Sequence, residues 1–154
     1  MLQVQSSAQE VEDLINDPSF DINQYHGYIY LTVHLKTGRQ YIGKKAFHHT
    51  TNKKLGKKEL AELPVTRGKK PSKKQVIKES DWKTYYGSAT EIKNLPKEEL
   101  KRYVLKLCKN KKELTYYETK MLFTYNVLED DRYINDNILG KFFRKDLGNP
   151  EEVH

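Results

Sequence analysis

Cysteine occurs once in the 154 residues, at Cys108. A single thiol closes no internal disulfide, and without a second cysteine it builds neither a zinc knuckle nor a redox pair. Cys108 is read as a small buried hydrophobe, and no disulfide-linked partner is expected. Long apolar runs are missing too, since none approaches the ~20 residues of a membrane span; no membrane partner is expected. Residues 1–20 contain no Lys or Arg, while Glu10, Glu12, Asp13 and Asp17 stand there, so the basic start of a signal peptide is lacking. The expectation is a cytoplasmic protein.

What the chain does have is positive charge. Lys and Arg number 28 against 21 Asp and Glu, a net +7, and the pI is about 9.3. An anionic partner is expected. Charged residues make up 32% of the chain, yet 11 tyrosines and an aromatic share of 11% argue against disorder. The length accommodates one compact domain.

Residues 1–24 form an acidic arm with a short helix around 8–16 that stops before Asp17-Pro18. A core follows over 25–145, and 146–154 form a tail. Within 25–35, Ile29, Leu31, Val33 and Leu35 alternate with Tyr28, Tyr30, Thr32 and His34, the pattern of a half-buried strand. Turn residues at 36–39 lead to a second strand over 40–45, giving an antiparallel hairpin. Residues 50–80 are a basic, weakly structured insertion. Gly-Lys-Lys recurs at 43–45, 56–58 and 68–70, without the glycine spacing of a phosphate-binding loop. Pro96 suits a first helical turn, and Leu100, Tyr103, Val104, Leu107 and Cys108 recur at helical steps. A second helical stripe runs over 113–126 through Leu114, Tyr117, Met121, Leu122 and Tyr125. The tail over 133–143 returns apolar residues to the core. The fold class is α+β: a small antiparallel sheet of three strands flanked by helices.

Alternation puts Tyr28, Tyr30, Thr32 and His34 opposite the core face, toward solvent or a cleft, with Tyr41, Gly43 and Lys45 beside them. Cross-strand aromatic pairing is the plain alternative. A loop over 34–37 pairs Val33 with Gly38 and sets Tyr30 opposite Tyr41; a two-residue Thr37-Gly38 turn pairs His34 with Tyr41 instead. The wider loop is expected because it brings the phenols together. Glu118 stands four residues after Leu114 and four before Leu122, within the apolar stripe. It either reaches water at the stripe's edge or gains a hydrogen-bond partner, a cation or a proton.

Gly27-Tyr28-Ile29-Tyr30 followed by Tyr41-Ile42-Gly43 resembles the paired motif of GIY-YIG nucleases, with Tyr28 in place of the first glycine. Trp82-Lys83-Thr84-Tyr85-Tyr86-Gly87-Ser88 is similar to a Trp-x-x-Tyr-x-Gly-Ser block of phage-encoded, homing-endonuclease-like members of Seg type. Leu114-Thr115-Tyr116-Tyr117-Glu118 resembles their glutamate helix, and Tyr133-Ile134-Asn135 their late asparagine motif. The four blocks stand in family order over 27–143.

The resemblance implies a GIY-YIG-like fold and metal-dependent hydrolysis of DNA, in the host cytoplasm if the chain is phage-encoded. Glu118 would hold one Mg2+ or Mn2+ ion, a hard cation that keeps positions for water and phosphate oxygens. Tyr30 or Tyr41 would orient the attacking water or take its proton, which needs a cation nearby because a free phenol has a pKa near ~10. Lys45, on the face of Tyr41, is a candidate. The family carries an arginine shortly after its second triplet, and residues 48–53 hold none. Arg67, Lys45 or one of His48 and His49 could replace it. Double-stranded DNA is the expected partner, met by Lys44, Lys69, Lys70, Lys73 and Lys74 through its phosphates, and by Trp82, Lys83, Tyr86 and Asn135. A non-catalytic or degenerate nucleic-acid-binding protein is the competing reading. Oligomeric state is not read from the sequence.

Overall fold

The computed structural model describes residues 2–62 and 73–148, with side chains from residue 9 onward. In chain order the elements are α1 (Leu2–Ile15), β1 (Gly27–His34), β2 (Gln40–Ala46), β3 (His48–Lys54), α2 (Lys57–Ala61), β4 (Lys73–Glu79), α3 (Thr90–Lys93), β5 (Leu100–Cys108), α4 (Lys111–Thr124), β6 (Asn137–Ile138) and β7 (Phe142–Phe143). They fall into two compact units. One comprises the described residues up to Phe47 and from Asp81 onward; the other lies between His48 and Ser80.

The first unit is built on a three-stranded antiparallel sheet in the order β2-β1-β5, and with its helices it is α+β as the alternation implied. One face carries Ile29, Leu31, Ile42 and Cys108, packed under Leu114 and Leu122 of α4 and under Val127, Leu128, Tyr133 and Ile138. Cys108 is the buried hydrophobe expected, and burial pushes its thiol up to about 11. Asn110 caps α4, its side chain accepting the Glu113 N–H at 2.8 Å.

The opposite face corrects the sequence reading. Tyr28 and Tyr30 do not face solvent or a cleft; they are 0% and 1% exposed and form a second core with Phe47, Trp82 and Val104. The reason lies in the acidic arm. Val11, Ile15, Phe20 and Ile22 come from it and pack on this cluster, so the sheet has apolar cover on both sides. Aromatic edges fill the space, with Phe47 at 5.0 Å from Trp82 and 5.2 Å from Tyr28 between ring centroids.

Residues 100–108 also differ from expectation, being strand β5 and not a helix. A β-bulge shifts the β1–β5 register, so that Ile29 pairs with Lys106 but Tyr30 with Val104. The extra residue, Leu105, turns a period of two into a step of three between Val104 and Leu107. Leu100, Val104 and Leu107 therefore share one face of a strand at spacings that imitate a helix. Pro96 precedes a single 3-10 turn, Lys97–Glu99, that leads into β5.

The second unit holds β3 and β4, paired antiparallel from His48↔Glu79 to Lys54↔Lys73, so the part of the insertion that is described is a two-stranded ribbon and not weakly structured chain. Arg67, Lys69 and Lys70 lie outside the described residues.

Candidate active site

The β1–β2 loop settles which side chains meet. His34 N–H donates to the Arg39 carbonyl at 2.8 Å and Gly38 N–H to the His34 carbonyl at 2.7 Å, closing a loop over 35–38. Val33 pairs with Gln40, Thr32 with Tyr41 and Tyr30 with Gly43. Neither expected register occurs, and Tyr30 is diagonal to Tyr41. The phenols nevertheless come together, their ring centroids 6.3 Å apart, because Gly43 leaves the space directly opposite Tyr30 empty. A Cβ on Gly43 would overlap the Tyr30 hydroxyl and approach Tyr41 Cε1 to 2.9 Å. Gly87 also lies against the Tyr41 ring, where a Cβ would stand 3.2 Å from Cδ1. Its φ of +150° is open to glycine.

The two tyrosines differ in surroundings. Tyr30 is enclosed, and burial, the neighbouring phenols and a hydrogen bond to Tyr85 all push its pKa upward. Tyr41 is partly exposed, its hydroxyl 3.1 Å from Ser88 Oγ, on the wall of a cleft of about 740 Å³. Burial raises its pKa; the Ser88 hydrogen bond opposes this, while Tyr85 and the Glu118 carboxylate add to it.

Glu118 projects from α4 into the same cleft. Burial raises its pKa, against the pull of the Lys44 ammonium and the Lys44 main-chain N–H, which favour the charged form. Lys44 also lines the cleft, and its ammonium donates to Thr115 Oγ1 at 3.0 Å. Among the described residues no cluster of three His, Cys, Asp or Glu side chains surrounds Glu118. Glu91, paired with Arg39, and Asp136 line the same cleft, and the Glu118 carboxylate in this open cleft fits a hard cation that retains most of its waters.

Asn135 lines the cleft but is only 5% exposed. Its side-chain oxygen accepts the Ile42 N–H at 3.0 Å and its amide donates to the Ile42 carbonyl at 2.8 Å. Beside it, Gln40 N–H donates to the Arg132 carbonyl at 2.7 Å and Ile134 N–H to the Gln40 carbonyl at 2.6 Å. Together with Glu118 at Lys44, these groups occupy the outer edge of β2. Asn135 thus commits both side-chain groups to the protein's own backbone.

Other expected residues lie elsewhere. Trp82 is 5% exposed, packed in the second core. Lys45 pairs with Asp81 at 2.7 Å and sits 3.9 Å over the Tyr85 ring. Lys83 is exposed beside Trp82. Tyr86 is half-buried and its carbonyl accepts from Thr32 Oγ1. Lys73 and Lys74 are exposed on β4, Lys74 pairing with Glu59 at 2.8 Å.

Three residues escaped the sequence reading. Ser88 stood inside a quoted motif, where its place after glycine could have marked it. Arg102 donates to the Tyr28 hydroxyl at 3.1 Å and to the Trp82 and Tyr85 carbonyls, fastening the segment that carries Ser88 to the sheet. It was hidden by the helical reading of β5. Arg144 donates to the carbonyls of Val127, Leu128, Asp130, Tyr133 and Asn135, an arrangement that has no local sequence signature.

A phenol, a carboxylate and an ammonium facing one cleft beside a three-stranded sheet define a site suited to phosphodiester chemistry. Comparison with protein families agrees: residues 10–138 match the family model described as "Putative endonuclease segE, GIY-YIG domain". The chain belongs to this GIY-YIG nuclease family, and its substrate is accordingly nucleic acid. No curated protein and no solved structure matches it.

Proposed function

We propose that the chain is a divalent-metal-dependent endonuclease that hydrolyses phosphodiester bonds of double-stranded DNA, of phage-encoded, homing-like type, acting in the host cytoplasm. The observation that carries this reading is the convergence of Tyr41, Glu118 and Lys44 on one cleft. Glu118 would hold one Mg2+ or Mn2+ ion, which when bound supplies Lewis-acid activation of a phosphate.

The remaining roles belong to the chain itself. Tyr41, packed against Gly43 and Gly87 and tied to Ser88, orients the attacking water through its hydroxyl; its raised pKa makes it a poor base at neutral pH. Tyr30, enclosed beneath it, positions that ring. Lys44 faces the phosphate charge in place of the family arginine. The described arginines are otherwise engaged: Arg39 is bidentate on Glu91, Arg132 on Asp130, and Arg102 and Arg144 on main-chain carbonyls. Asn135 and Arg102 are positioning residues.

Supercoiled plasmid incubated with the chain and Mg2+ or Mn2+ should be nicked or linearised. EDTA, Glu118→Gln and Lys44→Met should each prevent this while DNA is still bound. Binding without cleavage by the parent chain in either ion would establish the competing reading, a nucleic-acid-binding protein without nuclease activity.

A further inference from the structure

The side chains of the β3–β4 ribbon are sorted in a way that solubility does not require. Alternation across the register puts Thr50, Asn52, Gln75 and Ile77 on one face, with Lys54 and Lys73 at its end. Asn52 lies directly opposite Gln75, and Thr50 opposite Ile77, whose side chain is 71% exposed. Lys53 faces Lys74 and Lys54 faces Lys73. Like charges in direct opposition repel, and among the described residues the ion pair that answers them is Glu59 with Lys74, at 2.8 Å. Every described residue of the two strands is exposed except His48 and Val76, which are half-buried. A two-stranded hairpin so largely exposed on its faces is marginal in water and gains from a polyanion that separates its lysines.

We infer that this ribbon enters the major groove of duplex DNA, with Asn52 and Gln75 toward the base edges and Lys53, Lys54 and Lys73 against the flanking phosphates. The inference rests on the nucleic-acid reading above and adds a carrier of sequence preference. Dimensions and chemistry both support it. The major groove of B-form DNA, ≈ 12 Å wide, admits a two-stranded ribbon, whose strands stand about 4.8 Å apart. Asn and Gln amides are bidentate partners for adenine N6 and N7, and the Thr50 and Ile77 methyl groups suit the thymine C5-methyl. The narrow major groove of A-form RNA would shut the ribbon out.

The full chain carrying Glu118→Gln, without divalent metal, should select a preferred sequence from a pool of randomised DNA duplexes. Rebuilding the selected duplex with 7-deazapurines removes the major-groove N7 acceptors and should weaken binding at least about fivefold. An RNA duplex of that sequence should compete poorly. Asn52→Ala with Gln75→Ala should erase the sequence preference while retaining binding to unselected DNA, both side chains being exposed. Lys53→Ala, Lys54→Ala and Lys73→Ala should lower the slope of log K against log salt by about 0.9 for each phosphate that is no longer neutralised. Selection of no sequence, or a preference indifferent to 7-deazapurines and to the Asn52 and Gln75 changes, overturns the inference. Plasmid cleavage by the parent chain is scored separately, so failure of the ribbon and failure of the nuclease reading are distinguishable.

Discussion

Tyr30 and Tyr41 lie over the same glycine yet differ in reach. Tyr41→Phe removes the hydroxyl that faces the cleft, and cleavage should fall about 100-fold or more. Tyr30→Phe removes one that is enclosed, and the fall should be about tenfold or less, since the ring still supports Tyr41. Single-turnover cleavage of a labelled duplex measures both; equal losses would place Tyr30 in contact with the reacting groups. Glu118 offers a test of a different kind. Its carboxyl titrates above its usual 4.5 in the folded chain. Over the interval between the unfolded and folded values, the folded state holds the extra proton, so stability falls as pH rises through it and the penalty is complete above it. Glu118→Gln cannot ionise, so it should raise Tm at pH 7 and leave Tm unchanged at a pH well below the ordinary carboxylate value. A lowered Tm at pH 7 would mean that the ionised carboxylate is a net stabiliser. Glu118 was legible because its spacing from Leu114 and Leu122 fixes its side of α4 whatever the rest of the fold does.

The β1–β2 hairpin depends on a missing side chain. Gly43→Ala should cost about 1–3 kcal/mol through overpacking against the Tyr30 hydroxyl and the Tyr41 ring. That corresponds to a fall of about 2–4 °C in Tm per kcal/mol for a chain of this size. Cleavage should drop by more than stability explains, because Tyr41 must shift; thermal melts and single-turnover rates on the same sample separate the two effects. The existence of both strands was legible from alternation, but their register was not. Turn chemistry at residues 35–38 fits several loops, and only the glycine opposite Tyr30 reveals how diagonal phenols can meet. β5 was misread for a related reason: one bulged residue, Leu105, breaks the period of two, and spacing alone then points to a helix. The tyrosine face was misread because alternation tells which side chains share a face but not what covers it. The cover comes from Val11 and Ile15 of α1, outside the strand whose alternation was read.

At the scale of the whole chain, the two units should open independently. Amides of β3 and β4 should exchange with solvent far faster than those of β1, which is buried on both faces. Hydrogen exchange followed by mass spectrometry checks this, and equal protection would mean that the ribbon opens only with the sheet. The ribbon was illegible in the sequence because neither of its faces is buried, so residues 48–54 and 73–79 carry no apolar alternation to read. The edge of β2 has a consequence for association between molecules. A strand with open N–H and C=O groups is a template for a strand of another molecule, and here Gln40 has both groups occupied by Arg132 and Ile134, Ile42 has both occupied by Asn135, and the Lys44 N–H faces the Glu118 carboxylate. The cleft wall therefore doubles as a guard against polymerisation. Asn135→Ala bares the middle position and should make light scattering at high concentration rise with time, while parent chain at the same concentration stays clear.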